Sequence, residues 1–366
     1  MDRTQWNGIT VSSSHQSLDA ETSPEQAQAT PKRRNWRWLW WLYDLFALAM
    51  IGYLIESQLV GNAIWPITVI AYVTVIIFPI AFVMLPIAIW KRHWFGASLQ
   101  IICAIAYIWV MADALADGHD AEAPAGSIEV GTLTYNLGDG MAEPNDVVDL
   151  IRSSDADLVA LVEVTDDVAT AIETQLADRY PYRVVRGGGI PGKALLSAYP
   201  ITQFEWLEYN PGRPDLRAEI DLDGRPVSVI VAHPPPPEIT ATGIRDRKGT
   251  NDQIDALMRL VEATDQPLLM LGDFNITRQH DLYEEIEATG LTDAFNRAGN
   301  GLGFTMPVRL QALKVISDRL ASIRIIPLAR IDYIWVSQDW LPLESWVGDD
   351  AGSDHMPVLA RLALIA

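Results

Sequence analysis

The chain has 366 residues and one cysteine, Cys103. An intramolecular disulfide and any cysteine-based zinc cluster are therefore excluded, and the thiol count is compatible with either side of a membrane. Positive charge is also scarce. Lys and Arg number 27 against 47 Asp and Glu, a formal net charge of -20, so nothing in the overall balance marks a polyanion binder. Charge of either sign is missing from residues 63–90, AIWPITVIAYVTVIIFPIAFVMLPIAIW, a run of 28 positions. What is abundant is apolar: 49% of the chain, enough for a packed core in one large domain or two ordinary ones.

The apolar residues crowd the first third, where 9 of the 13 Trp precede residue 110. A stretch of about 20 apolar residues spans a bilayer as a helix, and 63–90 exceeds that with room for tilt. Pro66, Pro79 and Pro86 are tolerated in membrane helices. Residues 38–60, with Asp44 and Glu56, and 97–116, with Asp113, form less pure neighbours. Buried helices of a soluble protein are the alternative, but three successive runs with Trp near their ends fit an aromatic belt better. The expected organisation is an N-terminal tail over 1–37 without fixed structure, three transmembrane helices within 38–116, a linker at 117–127 and a second domain at 128–366. Lys32, Arg33, Arg34 and Arg37 precede the first span, and Lys91, Arg92 and His93 lie between the second and third. The positive-inside rule then puts the N-terminus in the cytoplasm and everything after residue 117 outside the cell (cytoplasmic) membrane, in a multi-pass topology.

From 128 the pattern alternates between strands and helices. Expected strands include 128–136, 157–164, 182–186, 193–198, 216–221, 226–232, PLLMLGDFN, RIDYIWVS and MPVLARLALI. Expected helices are 145–153, 166–178, 250–263 and 281–289, with Ile254, Leu257, Met258 and Val261 at helical spacing in the third. Residues 299–329 read as a long surface excursion. Such alternation over about 240 residues indicates one α/β domain. This part holds 37 acidic and 20 basic residues, a balance of -17.

Several of these strands end in polar residues of one chemical kind. Asn136 closes the first strand in TYNLGDG, Glu163 lies in LVEVT, His233 in VAHPPPP, and Asp273 and Asn275 in GDFN. Asp332 stands in RIDYIWVS, and Asp354 and His355 in GSDHMPV. Turns and caps explain some of these singly. A Glu within VALVEVT is harder to dismiss, because a buried carboxylate needs a cation or hydrogen-bond donors. Together they suit a hard divalent cation, Mg2+ or Mn2+, which takes oxygen ligands and keeps waters. Glu163 is the first candidate metal ligand, with Asn136 and Asp354 close by. Asp273 can orient and deprotonate a water, and Asn275 can hold a nonbridging phosphate oxygen. Asp332 can fix the tautomer and charge of His355.

These motifs, in this order, resemble the endonuclease/exonuclease/phosphatase superfamily of metal-dependent phosphoesterases, over residues 128–366. GDFN with a downstream SDH is the most specific part. The resemblance implies a four-layer α/β sandwich: two packed mixed sheets with helices outside and the site at one sheet edge. It implies metal binding at Asn136 and Glu163 with Asp354 near the metal, a catalytic Asp273 with Asn275, an Asp332–His355 pair, and His233 at the phosphate. One position departs: the family usually carries Gln before the metal-binding Glu, and Val162 stands here. The anchor and the HPPPP run resemble a bacterial membrane-anchored branch. Four prolines after His233 stiffen the outgoing loop as polyproline II, either as a wall for substrate or to direct the chain.

Fold does not select the substrate. A nuclease needs a basic track, for which GIRDRKGT, with Arg245, Arg247 and Lys248, is the best candidate. A phosphoesterase for lipid-linked phosphate would be served by the anchor, since the linker reaches only about 35 Å. A membrane protein with a degraded site is a third reading, disfavoured by the completeness of the polar set.

Overall fold

The computed structural model of the chain describes residues 37–60, 78–110 and 121–365, less 237, 241–242, 246–247, 310–315, 318 and 320–321. The N-terminal part contains α1 (Arg37–Val60), α2 (Pro79–Trp90) and α3 (Trp94–Val110). Ala47, Met50, Tyr53, Phe78, Cys103 and Tyr107 pack together between them. Trp41, Val83 and Trp109 point outward, each at least 70% exposed. Among the described residues one helix, Trp38–Glu56, is long and apolar enough to cross a membrane. Of the three expected spans, only the first coincides with a described helix of that length and apolarity. Most of the second falls on residues 61–77, outside the described residues, and the third is a 17-residue helix.

The remainder follows the alternating pattern: β1 (Ile128–Asn136), α4 (Pro144–Ser153), β2 (Leu158–Val162), α5 (Asp166–Gln175), β3 (Tyr182–Arg186), β4 (Lys193–Ser197), β5 (Ile201–Leu207), β6 (Asp215–Leu222) and β7 (Arg225–Ala232). The short β8 (Glu238–Thr240) and β9 (Gly243–Arg245) precede α6 (Lys248–Glu262) and β10 (Leu268–Asp273). Last come α7 (Asp281–Ala288), β11 (Thr292–Asp293), α8 (Ala294–Ala298), β12 (Asp332–Val336), β13 (Trp340–Val347) and β14 (Val358–Leu364). Two mixed six-stranded sheets result, ordered β13-β14-β1-β2-β4-β3 and β11-β12-β10-β7-β6-β5.

Side-chain alternation builds the layers. Val130, Leu158, Ala160 and Val162 of the first sheet meet Val229, Val231, Leu269, Leu271 and Ile334 of the second in the central core. The intervening Leu133, Tyr135, Val159 and Leu161 face Val147, Ile151, Val168 and Ile172 of α4 and α5. On the other side Ile230, Met270, Tyr333 and Trp335 face Ile254, Leu257, Leu282 and Ile286 of α6 and α7. This is the expected arrangement of two packed mixed sheets with helices outside.

The edge strands depart from the sequence reading. β5 is mostly exposed, so its residues carry no clean apolar alternation. β13 contains Pro342 at a register shift, a residue that argues against a strand unless it lies at an edge or bulge, as here.

Candidate active site

Strand direction brings the polar residues to one place. β1 and β2 are parallel and so end at the same edge; β7 and β10 are likewise parallel. β12 and β14 run antiparallel to β10 and β1, so the start of each meets those ends. Asn136, Asp273 and Asp332 have the parity of the core-facing positions, as does His233, one residue beyond β7. They therefore project between the two sheets where the apolar core gives out. Glu163 has the opposite parity, but its backbone adopts a φ of 58°, which breaks the alternation immediately after β2. Asn275 also has a positive φ, 55°. Before Asp273 stands Gly272, with a φ of +147°; a Cβ there would meet the Ala232 carbonyl oxygen at 1.9 Å. Only glycine lets β7 and β10 come this close under the site.

Asp273 is the hub. Its Oδ2 accepts from Asn136 Nδ2 at 2.8 Å and its Oδ1 from the Asn275 backbone N–H at 2.9 Å. The same Oδ2 lies 3.8 Å from His355 Nε2 and 3.8 Å from His233 Nε2. Burial, then repulsion from Asp332, pushes the Asp273 carboxyl up to about 7, against His355 and the two hydrogen bonds. The His355 ring holds Asp332 Oδ2 through Nδ1 at 2.9 Å. Burial would lower this imidazolium, but Asp332, with Asp273 and Asp354 behind it, outweighs burial and raises it to about 10. His355 is thus charged at neutral pH and Asp273 is poised near it. Asp273, Asp332 and His355 each bring a ligand-capable atom within 4.8 Å of the others, although Asp332 is already committed to the imidazole.

Glu163 accepts no hydrogen bond among the described residues, and burial raises its carboxyl. Its nearest cation-capable neighbour is His233 Nε2 at 3.5 Å. Asp354 lies against Gly138, where a Cβ would come 2.9 Å from its Oδ1. The Asn275 side chain donates to the Pro234 carbonyl at 2.9 Å, and Thr250 Oγ1 donates to that of Pro235 at 2.8 Å. Pro234 and Pro235 are buried. The Pro234 carbonyl therefore anchors Asn275, and that of Pro235 anchors Thr250. Of the GIRDRKGT track, Asp246 and Arg247 lie outside the described residues.

Three residues here escaped the sequence reading. Lys193 opens β4 opposite Val162 and is fully buried, its Nζ without a hydrogen-bond partner among the described residues and 3.8 Å from Asp215 Oδ1. Burial lowers its ammonium to about 8 despite that carboxylate. Asp215 in turn accepts from the His233 backbone N–H at 2.9 Å and from Gln253 Nε2 at 2.6 Å. Arg213, half-buried on the loop before β6, sets Nη1 3.1 Å from His233 Nε2. A lysine beside glycine and an arginine in a Pro-Gly-Arg-Pro run read as surface residues, and only the fold, which brings Lys193 to Asp215 of the other sheet and Arg213 to His233, overrules that.

The model of the Endonuclease/Exonuclease/phosphatase family matches residues 133–355, which takes in every residue of this edge. The chain belongs to that family. Its relatives include the uncharacterized protein YbhP of Escherichia coli K12, 26% identical over 269 residues, covering 63% of this chain and 95% of YbhP. Among solved structures, D. rerio TDP2 complexed with a single strand DNA product is 13% identical with a TM-score of 0.51, covering 64% of this chain and 98% of that one. An endonuclease/exonuclease/phosphatase from Beutenbergia cavernae is 19% identical with a TM-score of 0.49, over 65% and 72% of the two chains. At these identities the likeness is one of fold.

Proposed function

We propose that the chain is a divalent-metal-dependent phosphoester hydrolase. The observation that carries this is the Asp273 hub, a buried carboxylate held by Asn136 and Asn275 and set 3.8 Å from a histidine that Asp332 keeps charged. Asp273 takes the proton of the attacking water as the water oxygen bonds to phosphorus and the bond to the leaving oxygen breaks; a base near neutrality suits this work. Negative charge gathering on the nonbridging oxygens faces the His355 imidazolium, the kind of fixed electrostatic partner that lowers a barrier most. Asn275 completes the edge from the Asp273 side.

The donor set fits a hard cation. Glu163 is a desolvated carboxylate that burial raises even though the His355 and Arg213 charges oppose the rise, a costly state that a bound cation would relieve. The Asn136 oxygen and Asp354 would join Glu163 in holding Mg2+ or Mn2+. Such an ion supplies Lewis-acid polarisation of the phosphate and neutralisation of its charge.

The substrate is a phosphoester, and two sources are distinguished by test. Nucleic acid is the first. Lipid-linked phosphate is favoured by a local feature: residues 300–329 hold four basic residues and one acidic in an otherwise acidic domain. Ile316 and Ile326 there are 70% and 82% exposed, and the segment is tied to the site by the Val308 N–H donating to the Asp354 carbonyl at 2.8 Å. The apolar helix Trp38–Glu56 supports a membrane anchor, and the positive-inside reading places the catalytic domain outside the cytoplasmic membrane. The full chain in detergent, with Mg2+ or Mn2+, would be offered plasmid DNA, RNA, phospholipid and polyprenyl phosphate beside Glu163→Ala. Activity on any of these that the variant lacks supports the reading and names the substrate. Activity on none of them, or retained by the variant, refutes it.

A further inference from the structure

His233 is expected to touch the phosphate, yet its reactive nitrogen is already engaged. Arg213 Nη1 lies 3.1 Å from His233 Nε2. A guanidinium only donates, so Nε2 must be the accepting nitrogen and His233 must be neutral with its proton on Nδ1. The opposite state would set an imidazolium against an arginine. The ring is also fully enclosed, 1% exposed, and its backbone N–H is tied to the buried Asp215. His233 is therefore a fixed, uncharged acceptor. Arg213 is half-buried on a loop and keeps part of its surface. His233 Nε2 is 3.5 Å from Glu163 Oε1 and 3.8 Å from Asp273 Oδ2, so the guanidinium it holds stands at the same mouth as the proposed metal ligand and the proposed base. Lys193 cannot serve there, being fully buried beneath them.

We infer that Arg213 is the side chain that binds the nonbridging oxygens of the substrate phosphate, with His233 as the positioning residue that aims it. The inference rests on the phosphoesterase reading of the site. Its chemistry is that of the arginine fork, whose paired N–H donors match two phosphate oxygens where a lysine offers a point charge. A neutral histidine is a suitable holder, because it accepts from the guanidinium without adding a charge of its own. In a domain with a balance of -17, a local cation is also what admits an anionic group to an edge rich in carboxylates.

The test is binding of inorganic phosphate to the full chain in detergent with Mg2+, measured by calorimetry alongside turnover. Arg213→Ala should weaken phosphate binding by ~10–100-fold, the span for one charge-assisted contact. Arg213→Lys should fall between that variant and wild type. His233→Gln keeps an acceptor oxygen near the Nε2 position and should retain most of the affinity, whereas His233→Leu should lose it. A merely structural role for His233 would not separate Gln from Leu in this way. Arg213→Ala binding phosphate as tightly as wild type overturns the inference, as does a wild type that binds none. The two readings fail separately. Wild type that binds phosphate through Arg213 but hydrolyses nothing refutes the hydrolase and leaves this inference standing. Hydrolysis with phosphate affinity unchanged in Arg213→Ala does the reverse.

Discussion

Replacing Asp332 by Asn keeps the shape of the pair and removes its charge. Asp332 is fully buried and its Oδ2 lies 2.9 Å from His355 Nδ1. With charge centres about 4 Å apart and an effective dielectric of about 20, the attraction lost is ~4 kcal/mol, or ~3 pKa units. His355, raised to about 10 in the wild type, should then titrate roughly near 7. At about pH 8.5 the charged fraction falls ~30-fold, and kcat/KM should fall with it if the imidazolium faces the developing phosphate charge. Asp273 responds in the same direction: repulsion from Asp332 is, after burial, what raises it to about 7, so the acid limb should also move down. The whole pH–rate bell is expected to shift toward acid. The sign extends to stability. A histidine whose folded pKa is raised stabilises the fold fully below its unfolded value near 6.5 and loses that contribution as pH rises toward about 10. The wild type should therefore lose more stability than Asp332→Asn between those limits. A pH–kcat/KM profile with an NMR titration of the His355 ring decides the matter, and an unmoved bell with an unmoved ring refutes the pair's role.

Other expectations follow from single contacts. Gly272→Ala places a methyl 1.9 Å from the Ala232 carbonyl; it should cost ~1–3 kcal/mol in thermal unfolding and, by shifting Asp273 by about 1 Å, lower kcat ~100-fold. Glu163→Gln removes a desolvated carboxylate without a hydrogen bond, so the metal-free protein should unfold no earlier than wild type. That variant should nevertheless lose the rise in Tm that millimolar Mg2+ or Mn2+ gives the wild type, a rise worth ~3 kcal/mol at a hundredfold excess over Kd; a retained rise would remove Glu163 from the metal set. Lys193→Met leaves Asp215 charged beneath the site without its cation, a loss of ~3–5 kcal/mol by denaturant unfolding for a buried pair broken on one side, and no change would show that Gln253 and the His233 N–H suffice.

Much of the domain was legible because two layers of code agree. Alternation set the core-facing parity of Val130, Leu269 and Ile334, and the same parity carried Asn136, Asp273 and Asp332 to the site. Glu163 was recognisable as an uncomfortable carboxylate, but the backbone turn that redirects it was not, since a positive φ at glutamate has no sequence signature. Lys193, Arg213 and Asp215 were invisible for a different reason: each is explained by a partner from another strand or the other sheet. The engagement of His233 by Arg213 likewise depends on where the loop before β6 lies. At the other end of the chain, length and apolarity identified Trp38–Glu56 and made 63–90 a second span, most of which lies outside the described residues.

The most direct test of a metal-dependent hydrolase is turnover of a simple phosphodiester, bis(4-nitrophenyl) phosphate, by the full chain in detergent after stripping with EDTA and after return of Mg2+ or Mn2+. The account predicts no turnover when stripped, recovery with metal, and none under either condition for Asp273→Asn. Undiminished turnover by the stripped protein, or wild-type rates from Asp273→Asn, would contradict it.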